Sequence, residues 1–329
     1  MKALVYLAPE AMALRDVPDP TPAEGDHLIR IDSVGICGSD MHAYLGHDER
    51  RPAPLILGHE GAGTIVGGPR DGARVTINPL VTCGDCPACR AGRDNLCATR
   101  QIISMPPREG AFAQFVAMPE RNLVAVPDDV TLEQAALAEP IACGWHAVRL
   151  GITACGAQTP ETALVIGGGA IGVGAALSLV AQGVGDVTLI EPNALRRAYL
   201  ADNGSYKVLA PDELPADQRF DITLDGVGFD ATRATASAAT RPGGVILHIG
   251  LGGGAAGLDI RRLTLQEITF IGTYTYTAED FRDTCAAMFD GRLGPLDWTE
   301  TRPLSEGTTA FADIRSGRIA SPKIILKPA

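Results

Sequence analysis

The chain has no run of basic residues. Its 28 Lys and Arg face 39 Asp and Glu, leaving a formal net charge of −11 at pH 7. Phosphate backbones and anionic membranes are bound chiefly through Lys and Arg, so neither nucleic acid nor membrane is expected as a main partner. The opening MKALVYL is apolar only briefly before Pro9 and Glu10. It lacks the long apolar core and small-residue cleavage site of a secretory signal, and a cytoplasmic protein is expected. Eight cysteines in so large a cytosolic chain read as metal ligands or buried thiols rather than a disulfide framework. Internal repeats and low-complexity linkers are also missing, which sets aside a solenoid or a tethered array.

What is present is long and globular. At 329 residues, 46% hydrophobic and 20% charged, the chain exceeds one ordinary core and reads as two domains. In the first third, short apolar segments at 28–31, 63–66 and 73–77 are punctuated by Gly, Pro and Asp. That pattern predicts a mostly-β, barrel-like unit.

Two clusters of metal-ligand types fall at the ends of these segments: GICGSDMH at 35–42 and GHEG at 58–61. Cys37, His59 and a carboxylate would offer zinc a thiolate, an imidazole and a hard oxygen, a mixed set suited to a catalytic site with an open position. Taken singly, Cys37 also fits a buried small hydrophobe and His59 a core histidine. Between the clusters, HDERRPAP at 47–54 reads as a solvated surface loop or a lid. Cys83, Cys86 and Cys89, followed by Cys97, can close around one tetrahedral structural zinc, with the lobe at about residues 80–100. An iron–sulfur cluster is the competing reading, disfavoured by the last gap and by the lack of proline after Cys97. Cys143, Cys155 and Cys285 are expected as buried thiols. From about Glu133 the pattern turns helical and carries Glu139 into an apolar run, as a helix-end charge or as a carboxylate near metal.

Residues 162–185 hold no charge, which raises a transmembrane helix, but seven glycines argue against one. A strand at 163–166, GGGAIG at 167–172 and a helix at 173–182 follow the order that places a pyrophosphate on a helix N-terminus. Gly167, Gly169, Ile171 and Gly172 form the loop. Glu191 ends the next strand where a carboxylate accepts from the adenosine ribose and repels a 2′-phosphate, so NAD is expected over NADP, although Arg196 and Arg197 on the next helix could support a phosphate. Further strand–helix alternation through 220–225, 244–249 and 265–276 predicts a doubly wound parallel sheet. His248 in the penultimate strand reads as a satisfied core histidine.

Taken together, GICGSDMH, GHEGAG, the four-cysteine segment, GGGAIG and the final strands resemble the zinc-containing medium-chain alcohol dehydrogenases nearly end to end, most closely their polyol, sorbitol dehydrogenase-like branch. The resemblance implies an α/β Rossmann domain at 148–276 inserted into a GroES-like, mostly-β catalytic domain built from 1–147 and 277–329, with the active site in the cleft between them. It implies one catalytic and one structural zinc, NAD, an alcohol or polyol substrate oxidised at a secondary carbinol, and a homodimer or homotetramer. By the same resemblance Cys37, His59 and Glu60 carry or flank the catalytic zinc, with Glu139 at the position of the remaining ligand or water partner. Ser39 takes the proton of the substrate hydroxyl and passes it by the nicotinamide ribose to His42, Asp40 orients a ligand histidine, and Ile249, Gly250, Leu251 and Arg196 join the cofactor site. Without the family match, Ser39 is equally a turn serine and Asp40 a loop cap. Tyr44 keeps an aromatic position of the polyol enzymes, and Phe112 and Tyr276 are candidate pocket walls. Thr275 departs from the branch, which places an arginine there, and this puts sorbitol itself in doubt. A phosphorylated sugar alcohol held by Arg50 and Arg51, an L-threonine dehydrogenase, and a non-catalytic NAD-sensing or zinc-binding protein are the alternatives.

Overall fold

The computed structural model describes residues 1–328. The chain packs as two units, the first made of Met1–Glu139, Thr277–Asp290 and the chain from Thr299 onward, the second of Pro140–Tyr276 and Gly291–Trp298. The expected boundary at 147/148 falls inside the helix Ala138–Ala154, and the division lies at the start of that helix. Gly291–Trp298 joins the second unit, where the Asp297 carbonyl accepts from the Tyr199 hydroxyl at 3.1 Å.

In the first unit the strand Asp26–Gly35 is the hub. It pairs antiparallel with Glu60–Val66, with Phe115–Pro119 and with the late strand Lys323–Lys327, so segments from both ends of the sequence share one sheet. The register sets Gly35 opposite both Glu60 and Ile325. Burial of Ile29, Ile31, Leu57, Ile65 and Ile77 fills the interior, each contributing about 1.5–3 kcal/mol relative to an exposed side chain. Phe311 closes it, with Tyr44 at 5.0 Å and Phe112 edge-on at 6.0 Å.

The second unit carries a six-stranded sheet whose paired neighbours all run parallel. Across it lie Lys207–Leu209, Asp186–Ile190, Thr162–Ile166, Phe220–Asp225, Thr240–His248 and Thr269–Gly272. That is the 3-2-1-4-5-6 order of a dinucleotide-binding sheet. The uncharged stretch 162–185 divides into the strand Thr162–Ile166 and the helix Ala170–Ala181, and no helix among the described residues is long and apolar enough to cross a membrane. The strand expected over 265–276 shortens to Thr269–Gly272, because Glu267 takes a left-handed φ of +50° and ends the helix Ile260–Leu265 just before it.

Candidate metal centre and nucleotide loop

Gly35 ends its strand opposite Glu60 because nothing larger fits there: a Cβ on Gly35 would lie 1.9 Å from Glu60 Oε2. Two residues on, Cys37 caps the helix Gly38–Tyr44, whose Ser39 and His42 stand three apart on one face. Cys37, His59 and Glu60 each bring a ligand atom into a group within 4.8 Å of one another. Glu60 is fully buried. Its Oε1 accepts from Lys323 Nζ at 2.6 Å, while its buried Oε2 has no hydrogen-bond partner. A buried carboxylate oxygen without a donor is costly unless a cation meets it, so the donor set fits a zinc ion.

Asp40 joins the two sequence clusters. It is fully buried, its Oδ2 accepts from Cys37 N at 3.0 Å and its Oδ1 from Gly58 N at 3.2 Å, and Oδ1 lies 3.4 Å from His59 Nδ1. It is therefore both a helix cap and the partner of the histidine. Burial pushes the His59 imidazole down, but the negative charges of Asp40 and Cys37 outweigh it and hold the ring well above its ordinary value. Glu139 is 7% exposed in the first turn of its helix; it is outside the 4.8 Å group, although its charge acts on Lys323. Tyr44 and Tyr276 are 6% and 1% exposed. Phe112 is fully buried and packs under Gly58, where a Cβ would lie 2.4 Å from its ring. It therefore supports the backbone that presents His59.

The four cysteines of the lobe also converge. Sulfur separations are 3.9 Å for Cys83 and Cys89, 3.5 Å for Cys86 and Cys89, and 3.5 Å for Cys83 and Cys97. A zinc tetrahedron with Zn–S near 2.3 Å has edges of about 3.8 Å, so the quartet fits that ion. The backbone N–H groups of Asp85 and Cys86 lower the Cys83 thiol to about 6, whereas burial raises Cys89 to about 12, and a cation is what allows all four to ionise together. Of the remaining cysteines, Cys143 and Cys285 are buried, but Cys155 is only half-buried at the end of its helix.

In the second unit, Gly167 adopts φ +101°, and a Cβ on Gly172 would lie 1.7 Å from the Gly167 carbonyl oxygen. Gly169 caps the helix Ala170–Ala181 with open space where its Cβ would be, and Ile171 follows in the first turn. Glu191 is 6% exposed and accepts from Gly168 N and Asn193 N, both at 2.8 Å. Arg197 turns back to the carbonyls of Glu191 and Pro192, at 3.0 and 2.7 Å. Arg196 sits half-buried in the first turn of the next helix, its backbone N–H on Asn193. Ile249 and Gly250 both donate to the Asp225 carbonyl, at 3.0 and 3.1 Å, and Leu251 projects outward, 77% exposed. His248 is not the satisfied core histidine expected: its buried Nε2 has no hydrogen-bond partner and stands 3.7 Å from Asp225 Oδ2.

Two contributors escape a sequence reading, and a third takes a place other than the one read. Lys323 heads what reads as a plain apolar strand, yet its ammonium is buried on Glu60. Ser104, in an unremarked loop, sets its Oγ 3.4 Å from His59 Nδ1. Arg51, considered above as a phosphate holder, is 3% exposed and committed to internal partners, so the phosphate reading loses its second cation. A charged residue in an otherwise apolar strand is the one signal that could have marked Lys323.

The sequence matches the alcohol dehydrogenase GroES-like domain over residues 23–128 and the zinc-binding dehydrogenase model over residues 170–290. It is 31% identical to L-galactonate-5-dehydrogenase of Escherichia coli (strain K12), across 89% of this chain and 88% of that protein. It is 32% identical to sorbitol dehydrogenase of Bacillus subtilis (strain 168), across 84% and 82%. The structure of acetophenone reductase from Geotrichum candidum in complex with NAD aligns with a TM-score of 0.87 at 26% identity, covering 99% of this chain and 96% of that one. Relatives this similar, matched over more than four-fifths of their length and consistent with both the donor sets and the sheet order, show that the chain belongs to the zinc-binding alcohol dehydrogenase family.

Proposed function

We propose that the protein oxidises a secondary alcohol of a polyol or sugar acid to a ketone, passing a hydride to NAD. The observation that carries this reading is the convergence of Cys37, His59 and Glu60 at the start of the helix bearing Ser39 and His42. When bound, zinc supplies Lewis acidity toward an alcohol and the nicotinamide supplies the hydride acceptor. Cys37, His59 and Glu60 would hold the ion, with Glu139 in the same charged surroundings. Asp40 and Ser104 occupy the Nδ1 side of His59 and so leave Nε2 for the metal. Ser39 takes the substrate hydroxyl proton, and His42, on the same face, delivers it to solvent. Cys83, Cys86, Cys89 and Cys97 would hold a second, structural zinc.

Glu191 supports NAD over NADP. Its carboxylate is fixed at the strand end, and Arg197 is turned onto backbone carbonyls, away from any role with a 2′-phosphate. The test is metal content with NAD and NADP reduction across polyols, sugar acids and simple secondary alcohols. Two zincs per chain, turnover of one substrate group and a higher kcat/KM with NAD are expected. One zinc, retained in Cys37→Ala, with no turnover would overturn the reading.

The same reading takes the protein as a cytoplasmic homo-oligomer. None of the eight cysteines forms a disulfide, as suits a reducing compartment. Thr269–Gly272 is an edge strand, with Phe270 38% and Leu265 64% exposed near it, a surface that pairing with a second copy would cover. Phe270→Glu is expected to shift sedimentation to the monomer; a wild-type monomer at micromolar concentration would refute the oligomer.

A further inference from the structure

Residues 47–54 read as a surface loop, yet one side chain from that loop is built into the metal centre. Arg51 is 3% exposed. Its Nε donates to the Ser104 carbonyl at 3.0 Å, and its Nη1 donates to the Ser39 carbonyl at 3.2 Å and to Asp48 Oδ2 at 2.8 Å. A buried guanidinium is tolerated only where its donors are taken up and its charge is met, and Asp48, itself 8% exposed at the side chain, meets it.

The two carbonyls belong to segments that the metal centre needs in register. Ser39 is the proton-accepting hydroxyl in the reading above, two residues past Cys37. Ser104 is fully buried and holds φ +71°, a left-handed conformation that non-glycine residues seldom adopt. Its Oγ lies 3.4 Å from His59 Nδ1. Nothing in the local sequence obliges Ser104 to take that conformation; the hydrogen bond to its carbonyl helps hold it there.

We propose that Arg51 is a positioning residue of the metal centre: its planar fork ties the Ser39 peptide to the Ser104 peptide and thereby sets the relay hydroxyl and the His59 ring in one geometry. The proposal rests on the reading of Cys37 and His59 as zinc ligands. It requires a guanidinium, because two carbonyls in different directions are served from one rigid plane, whereas an ammonium is a point donor on a flexible stem.

The experiment uses the full chain with zinc replaced by cobalt(II), and takes the absorption difference between each protein and its Cys37→Ser counterpart to isolate the catalytic-site bands. Arg51→Lys keeps charge and stem and carries the test; Arg51→Met extends it. In Arg51→Lys the Cys37-dependent bands should shift and weaken and kcat should fall on the order of 10²-fold, the scale of an ångström-level misplacement, with KM for NAD unchanged. The bands of the four-cysteine lobe should persist. Wild-type bands reproduced in Arg51→Lys, with kcat unchanged, would overturn the positioning role alone. A wild-type protein without Cys37-dependent bands would overturn the zinc reading and the positioning role together.

Discussion

Replacing Lys323 by methionine is expected to destabilise the metal-free protein by about 3–5 kcal/mol, the scale measured when one partner of a buried ion pair is removed. Lys323 is 4% exposed, and its ammonium donates to Glu60 Oε1 at 2.6 Å and to the Ile36 carbonyl at 2.8 Å. Burial alone would lower its pKa, but Glu60 and Cys37 outweigh that and raise it, so the residue stays charged. Methionine fills the same channel and offers no donor, which strands the carboxylate beside Gly35 with no room to turn away. A midpoint decrease of roughly 4–7 °C should follow in thermal unfolding. The double variant Lys323→Met/Glu60→Gln should recover part of the loss, because it removes the lone charge as well as its partner; a loss equal to the sum of the single changes would show that the two residues do not couple.

The second large effect is expected at Asp40. Asparagine has the same shape but a single acceptor oxygen, whereas Asp40 uses one oxygen for Cys37 N and the other for Gly58 N and His59 Nδ1. Asp40→Asn therefore leaves a buried N–H facing an amide NH2, at about 1–3 kcal/mol. It also frees the ring of His59. Zinc affinity at the centre should fall by about 10–100-fold, the range seen when the partner of a ligating histidine is removed. Zinc competition with a chromogenic chelator measures this, and an unchanged affinity would refute the orienting role.

The acid side gives an independent check. Burial raises the Asp40 pKa, but the charges of His59 and Arg51 and the Cys37 N–H together hold it below the ordinary value. A carboxyl lowered on folding contributes stability that is present above its unfolded pKa of about 3.9 and is lost as pH falls through the lower folded value. Asparagine does not titrate there. The stability gap between wild type and Asp40→Asn, from urea unfolding, should therefore be wide at pH 7 and narrow at pH 3.

What the sequence determined by itself was everything local. The glycine loop at 167–172 is readable because each glycine answers a short-range demand: φ +101° at Gly167, and at Gly172 a carbonyl where a Cβ would go. The four cysteines are readable because one short segment carries the whole ligand set, so spacing alone limits the geometry. Cys37 and His59 were legible as types, from two motifs within one strand-rich region. The roles of Ser39 and Asp40 came from the family resemblance, and in the structure one Asp40 carboxylate makes both the contact to Cys37 N and the contact to His59 Nδ1. What only the tertiary structure decided is how the centre is balanced. Lys323 reaches Glu60 from the far end of the chain, and Arg51 reaches Ser104 across more than fifty residues. A lysine in an apolar strand and an arginine in a proline-bounded loop are ordinary local patterns. Lys323 acquires its partner only when Asp26–Gly35 gathers Glu60–Val66 and Lys323–Lys327 into one sheet, because pairing across that distance follows strand register and burial, neither of which local spacing contains.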